Sequence, residues 1–223
     1  LTQAAATAFV QGLLAQYPIP QAVATRVYGL SKYGGELSLA RAPNSVVVRF
    51  TNIYGEGNTI ASRIRDWTRL MLRNEPLTGT QAVWPDERQY LYVGDLAEIL
   101  RLLGEHPNPP NLLLVTSPTA TPAPELAETI KRLTGSSSEI EVDTSEPTRQ
   151  RIRNLSLDTA PLERTLEEVL GHPFPFTPIE EGLPKDIAFQ RTQLAAEAQT
   201  SGTSTSMHAA LEAQDIPALA QML

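Results

Sequence analysis

Two short runs, Ser45 to Phe50 (SVVVRF) and Asn111 to Thr116 (NLLLVT), are apolar at consecutive rather than alternating positions. A strand wetted on one face alternates, whereas one that reads apolar throughout has both faces covered, as in a sheet packed between helices. Segments with helical spacing surround these runs. Ile60, Ile64, Trp67 and Met71 fall at intervals of four, three and four, with Asn58 or Thr59 as the expected cap. Leu96, Ile99, Leu100 and Leu103 repeat the helical pattern, with Asp95 as a cap, Glu98 three residues on and Gly104 as a stop. Pro122 to Thr134 and Thr159 to Leu170 read as further helices ended by Gly135 and Gly171, while Gln81 to Trp84, Tyr90 to Val93 and Glu139 to Val142 read as short strands. Helices alternating with strands predict an α/β fold.

Thr25 to Ala40 is also helical in pattern, but it contains Gly29, Gly34 and Gly35. Each glycine costs about 1 kcal/mol relative to alanine in a helix interior, so tertiary packing and a close neighbour are expected there. Ile179 to Gln199 is expected as the last helix, Thr200 to Ser206 (TSGTSTS) as a flexible linker and Met207 to Leu223 as a short tail. The chain opens on Leu1, inside sequence that reads as folded, so the natural protein is expected to begin further upstream.

Composition removes several functions. Without cysteine the 223 residues can form neither a disulfide nor a thiolate zinc site nor a cysteine nucleophile. A formal net charge of -7 argues against nucleic acid as a partner. No apolar run reaches the roughly 18 residues of a membrane span, and the first residues lack a basic region followed by an apolar core; no membrane contact and a cytoplasmic location are expected. His106, His172 and His208 are too scattered for metal-ligand spacing, and Ser31 lacks the G-x-S-x-G elbow of a hydrolase.

The chemistry centres on Tyr28-Gly29-Leu30-Ser31-Lys32, in which residues four apart share one helix face. An ammonium one turn from a phenol favours the phenolate and suits it to acid/base work near neutral pH. Alone, the spacing is weak evidence and reads first as an amphipathic pair on a partly exposed helix. It is followed, however, by Val46-Val47-Val48-Arg49-Phe50-Thr51-Asn52-Ile53-Tyr54-Gly55 and then by Arg88-Gln89-Tyr90-Leu91-Tyr92-Val93-Gly94-Asp95-Leu96-Ala97.

In that order, these three motifs resemble the extended short-chain dehydrogenase/reductases, the NAD-dependent nucleotide-sugar epimerases and dehydratases. The resemblance runs from the first residues to Gly182 and leaves the segment after Lys185 outside. It implies the C-terminal part of an incomplete Rossmann-like parallel sheet with a smaller α/β substrate-binding subdomain over 1–183, and a helical extension, linker and tail over 184–223. It makes Tyr28 the acid/base for hydride transfer at a sugar carbon. Lys32 would activate Tyr28 and hold the nicotinamide ribose of NAD or NADP. Asn52, in the turn after a strand, and Arg88 would contact a nucleotide-sugar substrate, with Arg88 on its diphosphate. Arg149, with Arg151 and Arg153 close by, is offered as a second phosphate ligand; read alone these are solvated loop arginines. A homodimer through the tyrosine-bearing helix is also implied.

The chain departs from the family twice. Ala4 to Gly12 (AAATAFVQG) puts alanine where the family carries a hydroxyl, leaving Thr2 or Thr7 as replacements, and the glycine-rich dinucleotide turn does not occur in the sequence. Two expectations therefore stand together: an enzyme of this family, or a non-catalytic relative acting as a nucleotide-sugar-binding or dimerisation module.

Overall fold

The computed structural model describes residues 21–39, 42, 45–80, 84, 86–143, 154–155 and 157–212. The chain forms two compact units, one of residues 1–47 and 110–112, the other of residues 48–109 and 113–223. Thr2, Thr7 and the Ala4 to Gly12 stretch, Arg149, Arg151 and Arg153, and most of the strand expected at Gln81 to Trp84 lie outside the described residues.

In the first unit, helix α1 (Gln21–Leu39) confirms the helix read from the sequence. The packing expected around its glycines is not found: nothing among the described residues lies within 4 Å of a Cβ built at Gly29, Gly34 or Gly35. Its side chains from Val27 onward are exposed except for half-buried Glu36. The close neighbour expected at these glycines is thus not among the described residues.

In the second unit the elements run β1 (Val47–Phe50, whose first residue belongs to the other unit), β2 (Asn52–Tyr54), α2 (Arg63–Leu72), β3 (Leu77–Thr80), β4 (Glu87–Tyr92) and α3 (Val93–Glu105). They continue through β5 (Leu112–Val115, whose first residue likewise belongs to the other unit), β6 (Ala120–Pro122), α4 (Ala123–Thr134), β7 (Ile140–Asp143), β8 (Asn154–Leu155), α5 (Ala160–Leu170) and α6 (Ile179–Glu212). Strand β4 is the hub. It pairs parallel with β2 and β8 and antiparallel with β6, while β1 pairs with β5 and β3 runs parallel to β7.

Alternation along β4 divides two cores. Tyr90 and Tyr92 join Tyr54, Ile64, Trp67 and Met71 of β2 and α2, Leu126 and Ile130 of α4, and Leu183 and Ile187 of α6. Leu91 joins Ile99, Leu102 and Leu103 of α3, Leu113 and Val115 of β5, and Leu162 and Leu166 of α5. Helices thus cover both faces of β4. The full burial expected of SVVVRF and NLLLVT is not found: β1 runs from half-buried Val47 and Val48 to exposed Arg49 and Phe50, and in β5 Leu113 and Val115 are buried while Leu112 is exposed and Leu114 half-buried, so these strands pack on one face only.

Several local expectations are corrected. Ser62 caps α2, its hydroxyl accepting from the Arg65 amide at 3.4 Å, and Asn58 supports that cap by donating to Ser62 Oγ at 2.9 Å. Ile60 therefore precedes the helix and stays exposed. Asp95 is not a cap, because α3 begins at Val93 and the Asp95 carboxylate accepts from the Thr177 amide and hydroxyl at 2.8 and 2.6 Å. Gly135 and Gly171 end α4 and α5 with φ of 70° and 73°, where a residue with a Cβ is strained.

The division expected between 183 and 184 falls inside α6, whose Leu183, Asp186, Ile187 and Gln190 are buried in the second unit. Residues 200–206, expected as a linker, continue this helix. Extending an existing helix avoids the nucleation step, so weak formers such as Ser, Thr and Gly can be carried along.

Candidate active site

On α1, Lys32 Nζ stands 5.3 Å from the centre of the Tyr28 ring, so the two side chains share the face that i, i+4 spacing dictates. The Tyr28 ring is open to solvent, and Ser31 Oγ is bonded back to the Tyr28 carbonyl at 2.7 Å.

In the second unit, Asn52 lies in β2 and not in a turn. The strand forms because Asn52, Ile53 and Tyr54 pair with Tyr90, Leu91 and Tyr92. In a parallel pair these opposed residues point to one face, and Arg88, two residues before Tyr90, points there too. Asn52 and Arg88 therefore share a face on neighbouring strands, one pleat repeat apart. The Asn52 amide donates to the Gln89 carbonyl at 3.3 Å, and Gln89 is held in turn by two hydrogen bonds with the Leu157 backbone, at 3.2 and 2.9 Å. Strand β8, which follows the segment carrying Arg149, pairs with β4 at Glu87 and Arg88.

Arg88 belongs to a charge cluster that motif reading missed. Asp86, just before β4, is almost fully buried, and its Oδ2 accepts from Arg88 Nη2 at 3.0 Å and from Arg63 Nη2 at 3.2 Å. Arg63, the first residue of α2, also donates to Tyr90 Oη at 3.4 Å. Burial pushes the Tyr90 phenol above its ordinary range, and the Arg63 charge works against that rise. Asp86 and Arg88 form an i, i+2 pair that extended chain places on one side, so part of the cluster had a sequence signal. Arg63 comes from a different element and had none.

Tyr90 also lines a cleft of about 340 Å³ with Ser117, Thr121, Phe174, Phe176 and Glu180. Phe174 and Phe176 meet edge to face at 4.9 Å on one wall. A second group of ionisable side chains surrounds Tyr54 and Tyr92. Tyr92 donates to Glu56 Oε2 at 2.8 Å beneath the Lys185 ammonium, and burial followed by this hydrogen bond pushes its phenol up to about 12. Asp186 is fully buried; desolvation pushes its carboxyl up to about 6, while the Gln190 side chain and the Gly55 backbone act against that rise without reaching full hydrogen-bond geometry.

Mostly parallel strand pairs, with helices on both faces of the central strand β4, define a Rossmann-like α/β fold. Residues 14–113 match the model of the NAD dependent epimerase/dehydratase family, and the chain shares that family's sequence over this stretch, which contains Tyr28, Lys32, Asn52 and Arg88. It is 29% identical over 147 residues to a probable dTDP-4,6-dihydroxy-2-methyloxan-3-one 4-ketoreductase of Streptomyces antibioticus, covering 65% of this chain and 45% of that protein. Among solved structures it is similar to the UDP-glucose 4-epimerase of Thermotoga maritima with UDP-glucose, at 26% identity and a TM-score of 0.61, covering 75% of this chain and 54% of the other. The RMD protein of Pseudomonas aeruginosa complexed with NADPH shares the fold at 19% identity and a TM-score of 0.60, over 74% and 56% of the two chains. The chain thus spans about half the length of the relatives it matches. No helix among the described residues is long and apolar enough to cross a membrane.

Proposed function

We propose that the chain is the substrate-binding and proton-transferring part of an NAD(P)-dependent nucleotide-sugar epimerase, dehydratase or reductase. The observation that carries this reading is the common face of Asn52 and Arg88 on paired strands, which offers an amide and a guanidinium to one ligand. A guanidinium suits a diphosphate through forked, charge-assisted hydrogen bonds, and the amide suits the adjoining oxygens. Arg149 is proposed as a second phosphate contact on motif position alone. Tyr28 would exchange a proton with the sugar hydroxyl or carbonyl, with Lys32 orienting it through the contact described above.

The residues present fit one end of the nicotinamide cofactor. Lys32, exposed beside Tyr28, provides donors for a ribose, whereas the 223 residues contain no glycine-rich turn to hold a pyrophosphate. When bound, the cofactor supplies and accepts hydride; this chain's own part is to bind the sugar nucleotide and move a proton at Tyr28 Oη. A homodimer is proposed by kinship alone.

The alanines of AAATAFVQG favour a second reading, a relative that binds the nucleotide sugar without turning it over. Calorimetric titration of the chain with UDP-glucose and dTDP-glucose, followed by nicotinamide absorbance with NAD and NADP, separates the two. Binding with turnover that Tyr28→Phe abolishes supports the enzyme. Binding without turnover supports the second reading. Failure to bind any sugar nucleotide overturns both.

A further inference from the structure

Arg63 and Arg88 lie far apart in sequence, yet both guanidinium groups reach the same atom, Oδ2 of Asp86. Their access differs sharply: the Arg63, Asp86 and Arg88 side chains are 10%, 4% and 36% exposed, so Arg88 is the member most open to solvent. Arg63 is fixed on two further sides, by its hydrogen bond to Tyr90 and by the Trp67 ring, whose centre lies 5.4 Å from the guanidinium carbon. Asp86 is held through its backbone, because its carbonyl accepts from the Ala123 amide at 2.8 Å. Its other carboxylate oxygen, Oδ1, has no partner among the described residues.

A lone arginine on a strand is charged, but its long side chain is not aimed; an arginine paired with one aspartate is aimed, but the pair is formally neutral and attracts a phosphate weakly. Two arginines on one aspartate leave a single positive charge over the three groups. The buried member takes up the carboxylate's charge, and the exposed member keeps its own while its head group is held by one monodentate contact.

We infer that Arg63 is a positioning and charge-balancing residue for a nucleoside diphosphate held by Arg88, acting through Asp86 without touching the ligand. The inference rests on the reading of Arg88 as the diphosphate contact.

The test is calorimetric titration of the full 223-residue chain with UDP, in the wild type and in Arg63→Met, Arg88→Met, Asp86→Asn and the Arg63→Met/Asp86→Asn double variant. Loss of one nearby cation in a medium of intermediate dielectric is worth about tenfold in affinity, so Arg63→Met is expected to weaken UDP by about that factor. The double variant is expected to recover most of the affinity, because Arg88 regains an uncancelled charge. A merely structural role for Arg63 moves the double variant the other way. Should Arg63→Met fail to fold, Arg63→Gln is expected to show the same loss and Arg63→Lys to retain affinity. If Arg88→Met weakens UDP while Arg63→Met does not, or if the double variant stays as weak as Arg63→Met, this inference is overturned and the role of Arg88 stands. If Arg88→Met binds UDP as the wild type does, or the wild type does not bind it, the reading of Arg88 falls and the inference with it.

Discussion

Gly182 lies against the phenol of Tyr54: a Cβ at position 182 would overlap its oxygen and stand 2.8 Å from Cζ. Tyr54 is 1% exposed, packed between Tyr92 of β4 and Gly182 of α6, so it cannot swing aside. Gly182→Ala is expected to destabilise the chain by about 1–3 kcal/mol, the usual cost of overpacking. Urea unfolding with an unchanged slope and a lower midpoint would show it, and Tyr54→Phe in the same chain should recover part of the loss. Equal midpoints for Gly182→Ala and the wild type would refute the close packing.

Asp186 predicts a pH dependence of opposite sign to the usual carboxylate. Its folded-state value of about 6 lies above the 3.8 of a free aspartate carboxyl, so the folded chain binds the proton more tightly than the unfolded chain. The favourable contribution is complete below the lower value, declines as pH rises between the two, and is gone above about 6. Asp186→Asn keeps the shape without the charge and is expected to stabilise the chain at neutral pH by on the order of 2 kcal/mol, with little gain near pH 4. Unfolding midpoints that change equally at both pH values would disprove the assignment.

Asp95 ties α3 to the segment entering α6 through both of its carboxylate oxygens. Hydrogen bonds to a charged group contribute about 1.5–3 kcal/mol each, and Asp95→Ala leaves the Thr177 donors unsatisfied. A loss of about 2–4 kcal/mol is expected, whereas Thr177→Ser, which retains both donors, should cost under about 1 kcal/mol. The idea fails if the two substitutions cost the same in thermal unfolding.

Gly35 on α1 meets nothing within 4 Å among the described residues. Gly35→Ala is therefore expected to raise helix content, by up to about 1 kcal/mol of helix stability, with no loss of fold. Circular dichroism would register the gain; a drop in helicity would mean that the position is crowded after all.

The extent to which sequence foretold structure differs between residues for physical reasons. Gly135 and Gly171 marked their helix ends because a left-handed backbone angle is a local property that glycine meets at little cost. Tyr28 and Lys32 were legible together because four residues make roughly one helical turn. Asn52 was misplaced because its strand exists only through pairing with Tyr90, a partner that no local window contains. Asp95 was read as a cap because its spacing to Glu98 is right, but Thr177 competes for the same carboxylate from far along the chain. The Arg63–Asp86–Arg88 cluster shows the same limit, since sequence periodicity does not report which long side chains converge from separate elements.

Strand β4 carries Arg88 and Tyr90 on one face and Gln89 and Leu91 on the other, while three neighbouring strands fix its register. One inserted residue within 87–92 would exchange those faces downstream of the insertion, burying a polar side chain and unseating a core one at once. Length variation among functional relatives should therefore collect in the connections on either side, and this six-residue strand should behave as a frame within which evolution can replace letters but cannot add or delete them.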